Sequence, residues 1–155
     1  MKSVVVIGAV VALSFVAATA SAQLVPNSPT AKATVTVGGQ TFTFQRGGCL
    51  ITADSWALAL GDMSQGEHLE LNIPAPVRAS AADAVKPTKD GSYTNVSLTV
   101  IPAGGTLKGT TWHAGGRVAR EARLTVTLKN NRRSGEFAGL TDGSPRQDIK
   151  GTFSC

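Results

Sequence analysis

Apolar and polar residues alternate along most of this chain, and the alternation predicts strands. Lys32 to Val37 (KATVTV) puts Ala33, Val35 and Val37 on one side, the period-two pattern of a half-buried strand. Gly38-Gly39 follows, and glycine accepts the positive φ that a two-residue hairpin turn needs. Thr41 to Gln45 (TFTFQ) alternates back, with Phe42 and Phe44 on one face, until Arg46-Gly47-Gly48 breaks it. Cys49 to Ala53 and Trp56 to Leu60 are short strand candidates on either side of Asp54-Ser55. Gly61-Asp62 and Gln65-Gly66 mark turns. Glu67 to Ile73 turns Leu69, Leu71 and Ile73 inward and leaves His68 on the outer face.

The pattern resumes at Tyr93 to Ile101, with Val96, Leu98 and Val100 on one face. Thr106 to His113 reads as a mixed strand, ended by Gly115-Gly116. Arg123 to Lys129 turns Leu124, Val126 and Leu128 inward. Asn130-Asn131 is a turn candidate, because Asn tolerates the left-handed region. Ser134 to Leu140 and Ile149 to Cys155 close the chain, with Thr141 to Pro145 between them. Gly135-Glu136-Phe137 is echoed in Gly151-Thr152-Phe153, a recurring strand start. About eight to ten short strands with frequent turn signals predict an all-β fold, an antiparallel β-sandwich or barrel. Pro74 to Asp90 breaks the rhythm with Pro74, Pro76, Pro87 and an Ala-rich piece. It predicts a long connection with one helical turn, capped by Ser80 with Asp83 three residues on. A loop with a binding role is the alternative for this segment.

The N-terminus follows different rules. Lys2 precedes an almost wholly apolar run, Val4 to Val16, and small residues lead to Ala20-Ser21-Ala22. This is the pattern of a cleaved secretory signal over residues 1–22, with cleavage before Gln23. The apolar run is about 13 residues, against the roughly 20 that a spanning helix needs. Residues 23–31 read as a flexible polar arm, and residues 32–155 as one β domain. The mature chain is expected to be secreted, or soluble at the cell envelope. No cysteine stands directly after the small-residue run, the first being Cys49, so no lipid anchor is expected there.

Export permits a disulfide, and two cysteines allow one intramolecular pairing, Cys49 with Cys155. It would tie down a chain end that otherwise frays. Two free thiols, or an intermolecular bond through Cys155, are the alternatives. No C-x-x-C redox motif is present.

Composition adds exclusions. Apolar residues make up 42% of the chain, which argues against disorder, and 17 Gly with 7 Pro argue against a helical bundle. Charge is uneven. From Lys108 onward nine basic residues accompany four acids, and a one-signed surface attracts polyanions. Arg117, Arg120, Arg123, Arg132 and Arg133 are the candidate contacts, with Arg132 and Arg133 expected to be exposed beside their turn. An acidic wall polymer or an anionic lipid surface would be the partner. Specific nucleic-acid binding is not expected, since the stretch lacks stacking aromatics beyond Trp112. A solvated basic surface is the plainer alternative, and the chain is expected to be a monomer.

Catalytic signals are sparse. His68 and His113 lie in no H-x-H or H-E-x-x-H motif, so neither metal nor cofactor is expected. There is no G-x-S-x-G, and neither histidine has a triad context. Glu67 and Glu70 read as surface charge. Trp56 and Trp112 read as core residues, with a ligand cleft as the alternative. An enzyme is not expected.

Three motifs carry a resemblance. Val37 to Gln40 stands ahead of Cys49, Asp90-Gly91-Ser92-Tyr93 starts a strand, and Gly151 to Ser154 runs into the terminal Cys155. Together they resemble the LpqH-type lipoprotein antigens of the mycobacterial and related actinobacterial surface, over Lys32 to Cys155. The resemblance implies an exported β domain with one disulfide, no known catalysis, and an antigen-like binding role of unknown ligand. The family's lipobox cysteine is absent here, so interactions tied to its lipid do not carry over. The segment Pro74 to Lys89 also departs from the pattern. A carrier of a small apolar ligand is the remaining alternative.

Overall fold

The computed structural model describes residues 23–24, 30–73, 85–105, 110–115 and 124–155. Among them twelve strands build two six-stranded antiparallel sheets. They are β1 (Gln23–Leu24), β2 (Lys32–Val37), β3 (Gln40–Gln45), β4 (Gly47–Ile51), β5 (Trp56–Leu60), β6 (His68–Ile73), β7 (Gly91–Tyr93), β8 (Ser97–Ile101), β9 (Trp112–Gly115), β10 (Leu124–Lys129), β11 (Ser134–Leu140) and β12 (Asp148–Ser154). The first sheet runs β1-β4-β5-β6-β8-β9, and the second β3-β2-β12-β11-β10-β7. Each sheet keeps two edges, so the fold is a sandwich rather than a closed barrel.

The alternation in the sequence becomes the two inner faces. Val35, Val37, Leu58, Leu69, Leu71, Leu98, Leu124, Leu128 and Ile149 are buried between the sheets. Each such side chain contributes about 1.5–3 kcal/mol by leaving water. Gly38 and Gly39 take φ of 55° and 81° and bring Val37 opposite Gln40, the mirror-image turn that matches strand twist.

Register also explains the Gly-x-Phe echo. β11 and β12 place Phe137 opposite Gly151, and Phe153 opposite Gly135. Each ring fills the space where a Cβ on the facing glycine would stand. A glycine in a strand leaves a gap, and an aromatic on the next strand covers it.

Three expectations change. Tyr93 to Ile101 is two strands in different sheets: Tyr93 and Val96 are both buried, whereas on one strand their spacing of three would put them on opposite faces. Gln23–Leu24 is not a free arm: it pairs with Ile51 and Leu50 at the edge of β4. Cys49 to Ala53 shifts to Gly47–Ile51, since Thr52 turns the chain. Residues 1–22, the capped turn at Ser80 and the start of the mixed strand at 106–109 lie outside the described residues.

Candidate functional site

The β10–β11 loop spans four residues between Lys129 and Ser134, which face each other. Asn130, Asn131 and Arg132 all take left-handed φ, of 56°, 57° and 64°. Asn tolerates this region, but it costs Arg132 about 1–2 kcal/mol, so something must hold the loop. The Asp90 carboxylate does. It accepts the Arg132 N–H at 2.7 Å and the Asn131 N–H at 3.1 Å. Asn130 Nδ2 donates to Ser134 Oγ at 2.7 Å.

Arg132 then joins the neighbouring segments. Its Nη1 donates to the carbonyls of Thr52 at 2.9 Å and Pro87 at 2.8 Å. Its own carbonyl accepts the Trp56 indole N–H at 2.8 Å. The next carbonyl, of Arg133, accepts the Cys155 N–H at 2.7 Å. Trp56 is fully buried and packs on Phe153, ring centres 5.0 Å apart. Thr52 Oγ1 accepts the N–H groups of Asp54 and Ser55, a side-chain turn that shapes its loop. Tyr93 donates its hydroxyl to the Lys89 carbonyl at 2.6 Å. Three loops (52–55, 85–90 and 130–133) and the C-terminus thus meet at one end of the sandwich. Around this hub lie exposed Asp54, Lys86, Lys89 and Arg133, with Lys86 and Asp54 paired at 2.7 Å.

This geometry corrects one expectation. Arg132 is half-buried and its guanidinium is engaged by carbonyls, so it is a positioning residue for the loops. Arg133 is exposed as expected. Arg117, Arg120, Arg123 and Lys108 lie outside the described residues. Elsewhere Lys129 pairs with Glu136 at 2.9 Å and Arg46 with Asp62 at 2.6 Å. The sequence held a signal for Asp90, an acidic turn former before Gly91, and none for the partners of the Arg132 guanidinium.

The histidines sit on the outer face of the first sheet. His68 Nε2 lies 3.3 Å from Glu70, which also accepts from Asn72 at 2.8 Å. These hydrogen bonds, from Asn72 and then His68, hold the Glu70 carboxyl below its ordinary pKa. His113 Nδ1 lies 3.1 Å from the Thr99 hydroxyl. The register sets Glu70 opposite Thr99 and Thr99 opposite His113, so the two histidine pairs are neighbours on this face. No group of three or more His, Cys, Asp or Glu converges on a metal position among the described residues. Glu67 stands apart from Glu70, just before β6. Burial, and then the Asp62 charge, push the Glu67 carboxyl up. Asp62 itself is held down by hydrogen bonds from the Ser64 hydroxyl and N–H.

Cys49 and Cys155 form the disulfide, with Cα atoms 5.6 Å apart. Trp112 is half-buried at the sandwich margin, 5.5 Å from Phe42, and donates to Gln147 at 3.2 Å. Two open clefts, of about 380 and 510 Å³, lie on the outer face of the second sheet around Thr36 and Lys150. A third, of about 290 Å³, lies beside Thr43, Asp62 and Glu67. Compared with known proteins, the chain matches no family model, no curated protein and no solved structure.

Proposed function

We propose that this chain works outside the cytoplasm as a non-catalytic binding and display domain, similar to the LpqH-type antigens, and presents the loop end organised by Arg132. The observation that carries this reading is the convergence of three loops and the disulfide-tied C-terminus on one residue. Binding residues concentrate on loops held by a rigid scaffold, and fixing loops before binding lowers the entropy lost on association. The signal-like residues 1–22 and the disulfide both favour an oxidising compartment.

The test replaces Asp54, Lys86, Lys89 and Arg133 together by Ala, and leaves Arg132 and Asp90 intact. Binding of the oxidised domain to intact cells of the producing organism is then compared with that of the parent. Lost binding with an unchanged melting curve supports the loop end. Equal binding overturns it. A second assay separates the polyanion alternative: Arg133→Glu and Lys150→Glu would each reduce retention on anionic vesicles at low salt, and salt would abolish it. A small apolar ligand has less to rest on, since the inward side chains bury one another.

A further inference from the structure

The two clefts on the outer face of the second sheet, of about 380 and 510 Å³, share Thr36, Ala138 and Lys150. These three stand side by side in one row across β2, β12 and β11. Thr34, Thr152 and Glu136 form the next row. The clefts therefore join into one groove along β12, from Thr152 in the first to Asp148 in the second. At the rise of a strand that is about 14 Å, and each cleft has the volume of a ligand site. The dip has a simple cause. Ala138 is exposed and short, while Lys150, Glu136 and the threonines around it are longer.

The lining selects the occupant. Neither Lys150 nor Asp148 forms an ion pair among the described residues, and they stand on the same strand face about 7 Å apart. Glu136 reaches Lys129 at 2.9 Å. A polyanion would thus meet two carboxylates as well as one ammonium in the groove, and gain little. An apolar ligand finds little surface, because Phe137 and Ile149 line the clefts from below and are buried. A protein partner would lack the aromatic or Arg anchors on which such interfaces depend. Threonine suits exposed strand positions anyway, so its hydroxyls gain meaning only from the groove around them. There the ammonium donates, the carboxylates accept, and the hydroxyls of Thr34, Thr36 and Thr152 do either. Thr36 is oriented by Thr41, hydroxyl to hydroxyl at 2.9 Å. A neutral chain of sugars needs that mixture, since each sugar hydroxyl both donates and accepts and the ring offers a C–H surface to Ala138.

We propose that this groove binds a neutral oligosaccharide lengthwise along β12. Lys150 and Asp148 supply the charged hydrogen-bonding groups, the three threonines the neutral ones, and Ala138 the floor. The sheet fixes these side chains before the ligand arrives, because β12 is paired on both sides, with β2 and β11. Sites built on such strands hold their geometry better than sites on loops. The groove shares no residue with the loop end organised by Arg132, so either reading can fail without the other.

Saturation-transfer NMR on the oxidised chain tests it. Neutral trisaccharides of glucose, mannose and N-acetylglucosamine are offered separately, with a galacturonate trimer as the acidic counterpart. Each is titrated to about 10 mM, which reaches Kd values of about 1 mM. Ala138→Leu fills the dip from a solvent-facing position, and Lys150→Met removes the ammonium but keeps the stem. Lys32→Met is the control, a cation on the same sheet face of β2 but outside both clefts. The expected result is transfer to at least one neutral trisaccharide, weakened about fivefold or more by Ala138→Leu and by Lys150→Met and unchanged by Lys32→Met. Should Ala138→Leu disturb the melting curve, Lys150→Met alone decides. No transfer to any of the three neutral sugars overturns the proposal. So does tighter binding of the galacturonate trimer, or binding that Lys150→Met leaves as it was.

Discussion

Arg132 shows how one side chain organises a surface without belonging to it. Its charge meets two carbonyls, and removing it strands Thr52 and Pro87 acceptors that are partly withdrawn from water. Arg132→Ala is therefore expected to cost about 1.5–3 kcal/mol in urea denaturation, the range for hydrogen bonds to a charged group. Arg133→Ala should stay within about 0.5 kcal/mol, as for an exposed side chain. Equal effects at both positions would contradict the hub. Glu67 offers a second residue-scale prediction. Its folded pKa is raised by burial and by Asp62, so the folded state holds its proton more tightly than the unfolded one. That stability is present below the unfolded pKa and lost as pH rises through the folded value. Glu67→Gln should thus stabilise the protein at pH 7 by at most about 0.5 kcal/mol, given its partial exposure. The gain should vanish below about pH 4, near the ordinary carboxylate pKa. Glu70 works the other way. Its lowered pKa adds stability that is lost as pH falls through the folded value, and Glu70→Gln should destabilise at neutral pH only. Pairs of urea curves at the two pH values check both signs.

At the scale of elements, period-two alternation made most strands legible, because one face of each is buried and the other is wet. Val35, Leu71, Leu98 and Val126 needed no other information. The turns at Gly38-Gly39 and Asn130-Asn131 were equally legible, since their φ values admit few residue types. What escaped was whatever depends on the other sheet. Tyr93 to Ile101 alternates well enough to pass for one strand, yet the chain changes sheets between Tyr93 and Ser97. The Gly-x-Phe echo was visible, but its meaning lies in a cross-strand register that no local pattern encodes. Gly151→Ala tests that meaning. Its Cβ meets the Phe137 ring and the Thr34 carbonyl, so a loss of about 1–3 kcal/mol is expected, as for overpacking elsewhere. Thr152→Ala, one residue on and facing water, should cost less than about 0.5 kcal/mol. Similar losses for both would sink the ring-over-glycine account.

For the whole molecule the decisive bond joins the sheets. Cys49 belongs to β4 of the first sheet, and Cys155 follows β12 of the second, 106 residues away. A loop of that size gives about 4–5 kcal/mol in the chain-entropy model, and measured values are often smaller. Replacing both cysteines by Ser should cost about 2–5 kcal/mol and loosen the C-terminus that Arg133 receives. The candidate site was only half legible at this scale: Asp90, Asn130 and Arg133 stood out in the sequence, and their meeting with Thr52, Pro87 and Trp56 did not. A closed Cys49–Cys155 bond calls for an exported, oxidised chain. The intact mass of the secreted protein, with and without reductant, tests that directly. The expected mass begins at Gln23 and is two hydrogens light until reduction, the signature of one closed disulfide. A mass that keeps Met1, or free thiols at both Cys49 and Cys155, would contradict it.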